Sequence, residues 1–325
     1  MSVRNALKIF LSITIAVAVF MVIGEVLIRL YLHYNTLYDV EMARYAMYMK
    51  TESDNPLIGH VHKPNVAMRL MDSVVEINSD GLRDKEYPVA RNESQRIAVL
   101  GDSLTFGWGV EREDSFVTLL EEALNETDPT EMINFGAGNY NTEQEVNLFL
   151  EKGLKYKPDK VVLFYFINDA EVSPRKSKLW FLGYSNLITF YWSRVNSLVS
   201  KHVSAKNWQE YYSSLYVDGQ EGWEDSKKAF LQLRDVCQRE GVQVQILLLP
   251  ELHDVKNEAF RDIYDSVSRF LETNGIDHLN LATLFKDQEK PRALWVRYDD
   301  AHPNKLAHKV IAEASWNFIS EKEPQ

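Results

Sequence analysis

The chain has 325 residues, a formal net charge of −11, and 45% hydrophobic and 12% aromatic residues. That length allows one large domain or a domain with an appendage, and that composition supplies a core and excludes a largely disordered chain. The acidic excess argues against nucleic acid as a partner, because phosphate binding needs a basic face.

The first predicted element is apolar. Residues 9–24 (IFLSITIAVAVFMVIG) carry no charge, and with Leu7, Val26, Leu27 and Ile28 they approach the ~20 residues that span a bilayer. Arg4 and Lys8 precede the run, which points to a cytoplasmic N-terminus. Glu25 and Arg29 stand one helical turn apart at its far end, where they can pair or snorkel. A cleavable signal peptide is the alternative, since Ala16-Val17-Ala18 resembles an A-x-A cleavage site. The apolar run continues past that point, so residues 1–32 are read as a cytoplasmic tip and a signal-anchor helix. Both readings put the remainder outside the cytoplasm. One cysteine, Cys237, excludes an intramolecular disulfide and a cysteine-based metal site. A nearly cysteine-free exported domain fits a bacterial envelope better than a disulfide-rich secreted protein. Cys237 itself, in LQLRDVCQRE, has the spacing of a packed helix face.

Residues 33–95 read as a stalk and a small irregular module. Asn55-Pro56 and Lys63-Pro64-Asn65 punctuate it, and a short strand over 73–77 runs into the turn Asn78-Ser79-Asp80-Gly81. From residue 96 the pattern is regular. Apolar runs at 97–100, 132–135, 161–166, 242–249 and 277–281 predict strands. Helical spacing predicts helices over 115–124, 142–153, 223–239, 257–273 and 304–319. Alternating strands and helices imply βα units and a parallel sheet buried on both faces. Residues 171–222 interrupt the pattern with Trp180, Phe181, Tyr184, Phe190, Tyr191, Trp192, Trp208, Tyr211, Tyr212 and Tyr216. This stretch is read as an insert of helices packed over one sheet edge, or as a lid.

In a parallel sheet, ligands bind beyond the carboxyl ends of the strands. Polar clusters fall there: Gly101-Asp102-Ser103-Leu104, then Gly136-Ala137-Gly138-Asn139-Tyr140-Asn141, then Ile167-Asn168-Asp169. Asp299-Asp300-Ala301-His302-Pro303-Asn304 precedes the last helix. A serine nucleophile needs a base, and histidine suits that role. An acidic group must orient the imidazole, and Asp299, three residues before His302, can reach it from a short loop, with Asp300 as its competitor. Donors for an oxyanion are available in the Ser103 N–H, the Gly-rich turn and the Asn168 amide. Singly, each cluster reads as a cap or an Asx turn. Asp102 and Asp169 are assigned to bonding turn amides. Pro250-Glu251-Leu252-His253-Asp254, after the fourth strand, reads either as a helix start or as part of a substrate site. His60-x-His62 is too isolated to make a metal site. No Walker loop, G-x-G-x-x-G or H-E-x-x-H is present, so no cofactor and no metal are expected.

Gly101-Asp102-Ser103-Leu104, Asn168-Asp169 and Asp299-x-x-His302 resemble the signature blocks of the SGNH/GDSL hydrolase superfamily. The likeness runs from about Arg96 to the C-terminus. RIAVLGDSLTFGWGV, INFGAGNYNTEQE, LLLPELHD and LWVRYDDAHPN are similar to bacterial envelope members. The resemblance implies a three-layer α/β/α sandwich around a flavodoxin-like five-stranded parallel sheet over residues 96–325. It also implies Ser103 as nucleophile, His302 as base and Asp299 as its acid, with the oxyanion held by Ser103, Asn139 and Asn168. The family usually has glycine where this chain has Asn139. The donor there is a backbone N–H, and Asn tolerates positive φ better than most residues. Asp102, Gly138, Glu251 and His253 are the candidate substrate contacts. The function expected is ester hydrolysis outside the cytoplasm, of a carbohydrate O-acetyl group. The rivals are an O-acyltransferase with the same triad, a lipid ester or thioester hydrolase, and a non-catalytic envelope scaffold.

Overall fold

The computed structural model describes residues 3–172, 185–203 and 208–321; Trp180, Phe181 and Tyr184 lie outside the described residues. In chain order the elements are α1 (Val3–Tyr34), α2 (Tyr38–Arg44), β1 (Lys50–Glu52), β2 (His60–His62), β3 (Val66–Leu70), β4 (Ser73–Ile77), β5 (Gln95–Gly101), α3 (Ser103–Phe106) and α4 (Phe116–Leu124). There follow β6 (Thr130–Asn134), α5 (Thr142–Leu148), β7 (Lys160–Tyr165), α6 (Asn186–Val203), α7 (Trp208–Leu215), α8 (Glu221–Glu240) and β8 (Gln243–Leu248). The last are α9 (Arg261–Thr273), β9 (Asp277–Asn280), β10 (Trp295–Arg297), β11 (Asp300–Pro303) and α10 (Lys305–Ser320).

The chain divides into two compact units, Met1–Tyr48 with Ser177–Ala205, and Met49–Lys176 with Lys206–Gln325. This differs from the expected boundaries at 32/33 and 95/96. Residues 49–95 belong to the larger unit, and part of the aromatic insert belongs with the N-terminal helix.

In the smaller unit, α1 is a single helix long and apolar enough to cross a membrane. Glu25 near its end does more than meet Arg29 at 2.7 Å. Its carboxylate also accepts from the Ser185 hydroxyl at 2.8 Å and the Leu187 N–H at 3.0 Å, and so caps the start of α6. Arg194 of α6 pairs with Asp39 of α2 at 2.9 Å.

The larger unit is built on a five-stranded sheet of order β6-β5-β7-β8-β9. All its pairings are parallel. Period-2 alternation sends the strands' side chains to two cores. On one face Leu100, Leu163, Tyr165 and Leu248 pack with Val146 of α5, Phe230 and Leu233 of α8 and Val267 of α9. On the other, Val99, Val162, Phe164 and Leu247 pack with Phe116 and Leu120 of α4 and Ala307 and Ile311 of α10. The result is a three-layer α/β/α sandwich. Cys237 of α8 is in the first core, and burial pushes its thiol up to about 12. Burying such apolar side chains is worth about 1.5–3 kcal/mol each.

The sheet order matters for the site. The chain leaves β5 toward β6 on one side and returns as β7 on the other. The end of β5 is therefore the switch point at which an open α/β sheet leaves a crevice.

Two small antiparallel pairs, β1–β2 and β3–β4, precede the sheet. The β3–β4 hairpin turns through Met71 and Asp72 at φ 47° and 65°, the two positive φ values of a type I′ turn. Just beyond, Arg83 is almost fully buried. Its guanidinium donates to the carbonyls of Phe106 at 3.0 Å and Val110 at 2.7 Å. The region expected to be a stalk thus holds the loop that follows α3.

Candidate active site

Ser103 opens α3 at the end of β5. Two glycines allow that turn. A Cβ on Gly101 would fall 2.0 Å from the Thr105 hydroxyl, and one on Gly136 would fall 2.4 Å from the Phe106 nitrogen. Either side chain would force α3 off the sheet. Asp102 caps α3 by accepting from the Leu104 N–H at 2.8 Å. Asn134 braces the second turn, donating to Thr105 O at 2.9 Å and accepting from Gly136 N at 2.8 Å.

The Ser103 hydroxyl lies 2.8 Å from His302 Nε2. On the other side of the ring, Nδ1 lies 2.5 Å from Asp300 Oδ1, which also accepts from the His302 N–H at 3.1 Å. A carboxylate only accepts, so Nδ1 carries the proton and Nε2 is left to receive one from serine. The second oxygen of Asp300 accepts from the Trp108 indole at 3.0 Å. Burial raises the Asp300 carboxyl, but the hydrogen bond and charge of His302, its backbone N–H and the Trp108 indole outweigh that and hold it below its ordinary value.

The expectation that Asp299 orients the histidine is therefore corrected. His302 is on a strand, β11, not a free loop, and residues two apart on a strand share a side. That puts Asp300 beside His302 and sends Asp299 outward, where its carboxylate is 3.7 Å from Arg297 and 47% exposed. The β10–β11 hairpin was not expected from the sequence. Trp108 was also missed; its only signal was its place in LTFGWGV.

The remaining polar residues are brought to the same strand ends. Asn168 lies in a 3-10 turn over Ile167–Ala170, with its side chain hydrogen-bonded to the Asp102 carboxylate. Its Oδ1 is buried without a partner among the described residues. The Ser103 N–H is at the first turn of α3, where helix donors have no intrahelical acceptor. Asn139 has φ 66°, the left-handed conformation that glycine usually supplies. Gly138 before it is buried.

Behind Ser103 lie three buried carboxyl groups, Asp102, Glu145 and Asp169. Burial pushes all three up, and their mutual repulsion adds to this for Glu145 and Asp169. Both oxygens of Glu145 are without a hydrogen-bond partner among the described residues. Asp169 accepts from the Phe166 N–H at 3.1 Å, the turn-bonding role read from the sequence. Glu145 was not singled out, because in TEQEV it reads as one more polar residue on a helix.

After β8, Glu251 accepts from the N–H groups of His253 and Asp254 at 2.7 and 2.9 Å and meets His253 Nδ1 at 2.5 Å. The His253 ring stands between those of Trp208 and Trp295, with centroids at 5.3 and 4.6 Å. Glu251 thus acts both as a turn cap and as the holder of a part-exposed imidazole. Among the described residues, no group of three or more His, Cys, Asp or Glu is placed to hold a metal ion.

A family model described as the GDSL-like lipase/acylhydrolase family matches residues 99–310. No curated protein matches the chain. Among solved structures, a catalytic variant of an acetylxylan esterase from Geobacillus stearothermophilus aligns with TM-score 0.47 and 14% identity, over 72% of this chain and 98% of that one. A member of the lipolytic G-D-S-L family from Veillonella parvula gives TM-score 0.45 and 12% identity, over 70% and 100%. An alpha/beta hydrolase from the metagenome of Lake Arreo, Spain, gives 0.46 and 19%, over 70% and 94%.

Proposed function

The chain belongs to the GDSL-like lipase/acylhydrolase family, a family of ester-hydrolysing enzymes, and we propose that its reaction runs through Ser103, His302 and Asp300. The observation that carries this is the unbroken relay from Ser103 Oγ to His302 at 2.8 Å and on to Asp300 at 2.5 Å.

His302 Nε2 takes the Ser103 proton as Oγ attacks the ester carbonyl carbon. Asp300 stabilises the imidazolium that forms and keeps the ring oriented. The Ser103 and Asn139 N–H groups and the Asn168 amide hold the tetrahedral oxyanion. His302 then gives the proton to the departing alkoxide, releasing the alcohol and leaving an acyl-Ser103. A water, deprotonated by His302, attacks that ester; the acid leaves and Ser103 regains its proton. No cofactor enters any step.

The substrate we favour is an O-acetyl ester of a carbohydrate outside the cytoplasm. The location is supported by the apolar α1, with Arg4 and Lys8 ahead of it as the expected cytoplasmic side. Glu251 and His253, flanked by exposed Trp208, are the groups we assign to the sugar. The full chain in detergent should hydrolyse 4-nitrophenyl acetate, and Ser103→Ala should lose at least about 10³-fold in kcat. An inert wild type, or a Ser103→Ala protein with full activity, would overturn the reading. Acetate released from an acetylated oligosaccharide supports hydrolysis; acetyl moved to a second sugar supports transfer.

A further inference from the structure

Lys50, a half-buried residue of β1, donates through Nζ to the Gly138 carbonyl at 2.6 Å and to the Asn139 side-chain oxygen at 3.0 Å. His60 of β2 approaches the same carbonyl, with Nε2 at 3.2 Å. The Tyr140 hydroxyl in turn bonds to the His60 carbonyl. Gly138 C=O and Asn139 N–H belong to one peptide unit. Drawing electron density onto that oxygen makes the N–H at its other end a stronger donor, since hydrogen bonds in a chain polarise one another. The Lys50 contact to the Asn139 side chain also holds that residue in its left-handed conformation, at φ 66°.

We propose that Lys50 is a positioning residue for the oxyanion hole: it fixes the Gly138–Asn139 peptide and polarises it, so that the Asn139 N–H binds the transition state tightly. This rests on Asn139 serving as an oxyanion donor in the reaction proposed above. The geometry fits a charge placed to act through a peptide rather than on substrate. Burial pushes the Lys50 ammonium down to about 7. The titratable groups facing it are His60 and His62 of β2. Burial, and then the Lys50 charge itself, pushes both down to about 3 and so keeps them neutral. Lys152 and Arg83 act on His62 from beyond it. A neutral His60 bonded to a carbonyl must carry its proton on Nε2, which makes it the second donor to Gly138.

The test compares full-length wild type, Lys50→Met and Lys50→Arg on 4-nitrophenyl acetate, with thermal melts as the check of folding. Lys50→Met keeps the side-chain length and removes the charge. Its kcat should fall about 10- to 100-fold with KM within about twofold, because the lost interaction forms only with the oxyanion. Lys50→Arg, which keeps a cationic donor, should recover at least a third of the lost kcat. The wild-type kcat should also decline above about pH 7 as the ammonium loses its proton, and that decline should vanish in Lys50→Met. If Lys50→Met does not fold, His60→Phe stands in its place, with an expected fall of about threefold in kcat at constant KM. Unchanged kcat in the folded variant, or a loss confined to KM, overturns the role of Lys50 while leaving the triad intact. A wild type inert toward the ester overturns the reading of the site, and this proposal with it.

Discussion

Asp299 and Asp300 are chemically the same and adjacent, yet their surroundings separate them. Asp300 has a partner for each oxygen, His302 on one and Trp108 on the other. Asp299 stands in solvent beside Arg297. A partner pair that fixes both the tautomer and the ring angle is what a serine–histidine couple needs from its acid. Asp300→Asn should therefore lower kcat by about 10²- to 10⁴-fold, since an amide in that place favours the wrong imidazole tautomer. Asp299→Asn should stay within about twofold. Steady-state rates of the two variants on the same aryl ester decide between them, and the reverse pattern would return the role to Asp299. At Asn139, where glycine is usual, a side chain is carried at φ 66°, and Lys50 donates to its side-chain oxygen.

Among elements, α4 and α10 show how packing sets a pH response. His308 of α10 is fully buried, stacks on Phe116 with centroids 5.2 Å apart, and accepts the Phe116 N–H at the start of α4. Burial pushes it down to about 3, with the charges of Arg83 and His302 adding to the effect. The unfolded chain takes up that proton below about pH 6.5 and the folded chain does not. The stability tied to a neutral His308 is thus complete above 6.5 and is lost as pH falls toward 3. At pH 5 the loss is about 2 kcal/mol, from about 1.4 kcal/mol per pH unit. His308→Gln, which keeps an acceptor but does not titrate, should narrow the drop in stability between pH 7 and pH 5 by about that amount in urea titrations. Equal drops in both proteins would show that His308 is not the group responsible.

The regular elements were legible because their signals are local. A short, β-branched and aromatic run such as VVLFYF favours a buried strand, and β7 forms there, over Lys160–Tyr165. Ser103 and Asn168 fall together because they follow neighbouring strands of the parallel sheet, β5 and β7, whereas His302 reaches Ser103 from the separate β10–β11 hairpin. The β10–β11 hairpin was not legible, since three-residue strands carry no periodicity, and with it went the choice between two aspartates. The integration of residues 49–95 was not legible either. Arg83 reads as an ordinary surface cation until the carbonyls that receive it are seen in space.

On the scale of the molecule, the two units divide the labour. The smaller one carries the apolar α1, and its α6 is capped by a carboxylate of that helix. The larger one holds every group assigned to the reaction. The described part of the aromatic insert divides between the units, with α6 in the smaller and α7 in the larger. Trp208, which faces His253, belongs to the larger unit and remains the part of the insert we assign to substrate. The larger unit also buries the carboxyl groups of Asp102, Glu145 and Asp169, and burial pushes all three above their ordinary range.

The nucleophile itself can be identified without knowing the substrate. A fluorophosphonate reacts with a serine only where a base and an oxyanion site act together. The full chain treated with such a reagent and digested should carry one adduct, on the peptide that contains Ser103, and His302→Ala should abolish it. An unlabelled wild type, or an adduct on a serine other than Ser103, would contradict the account.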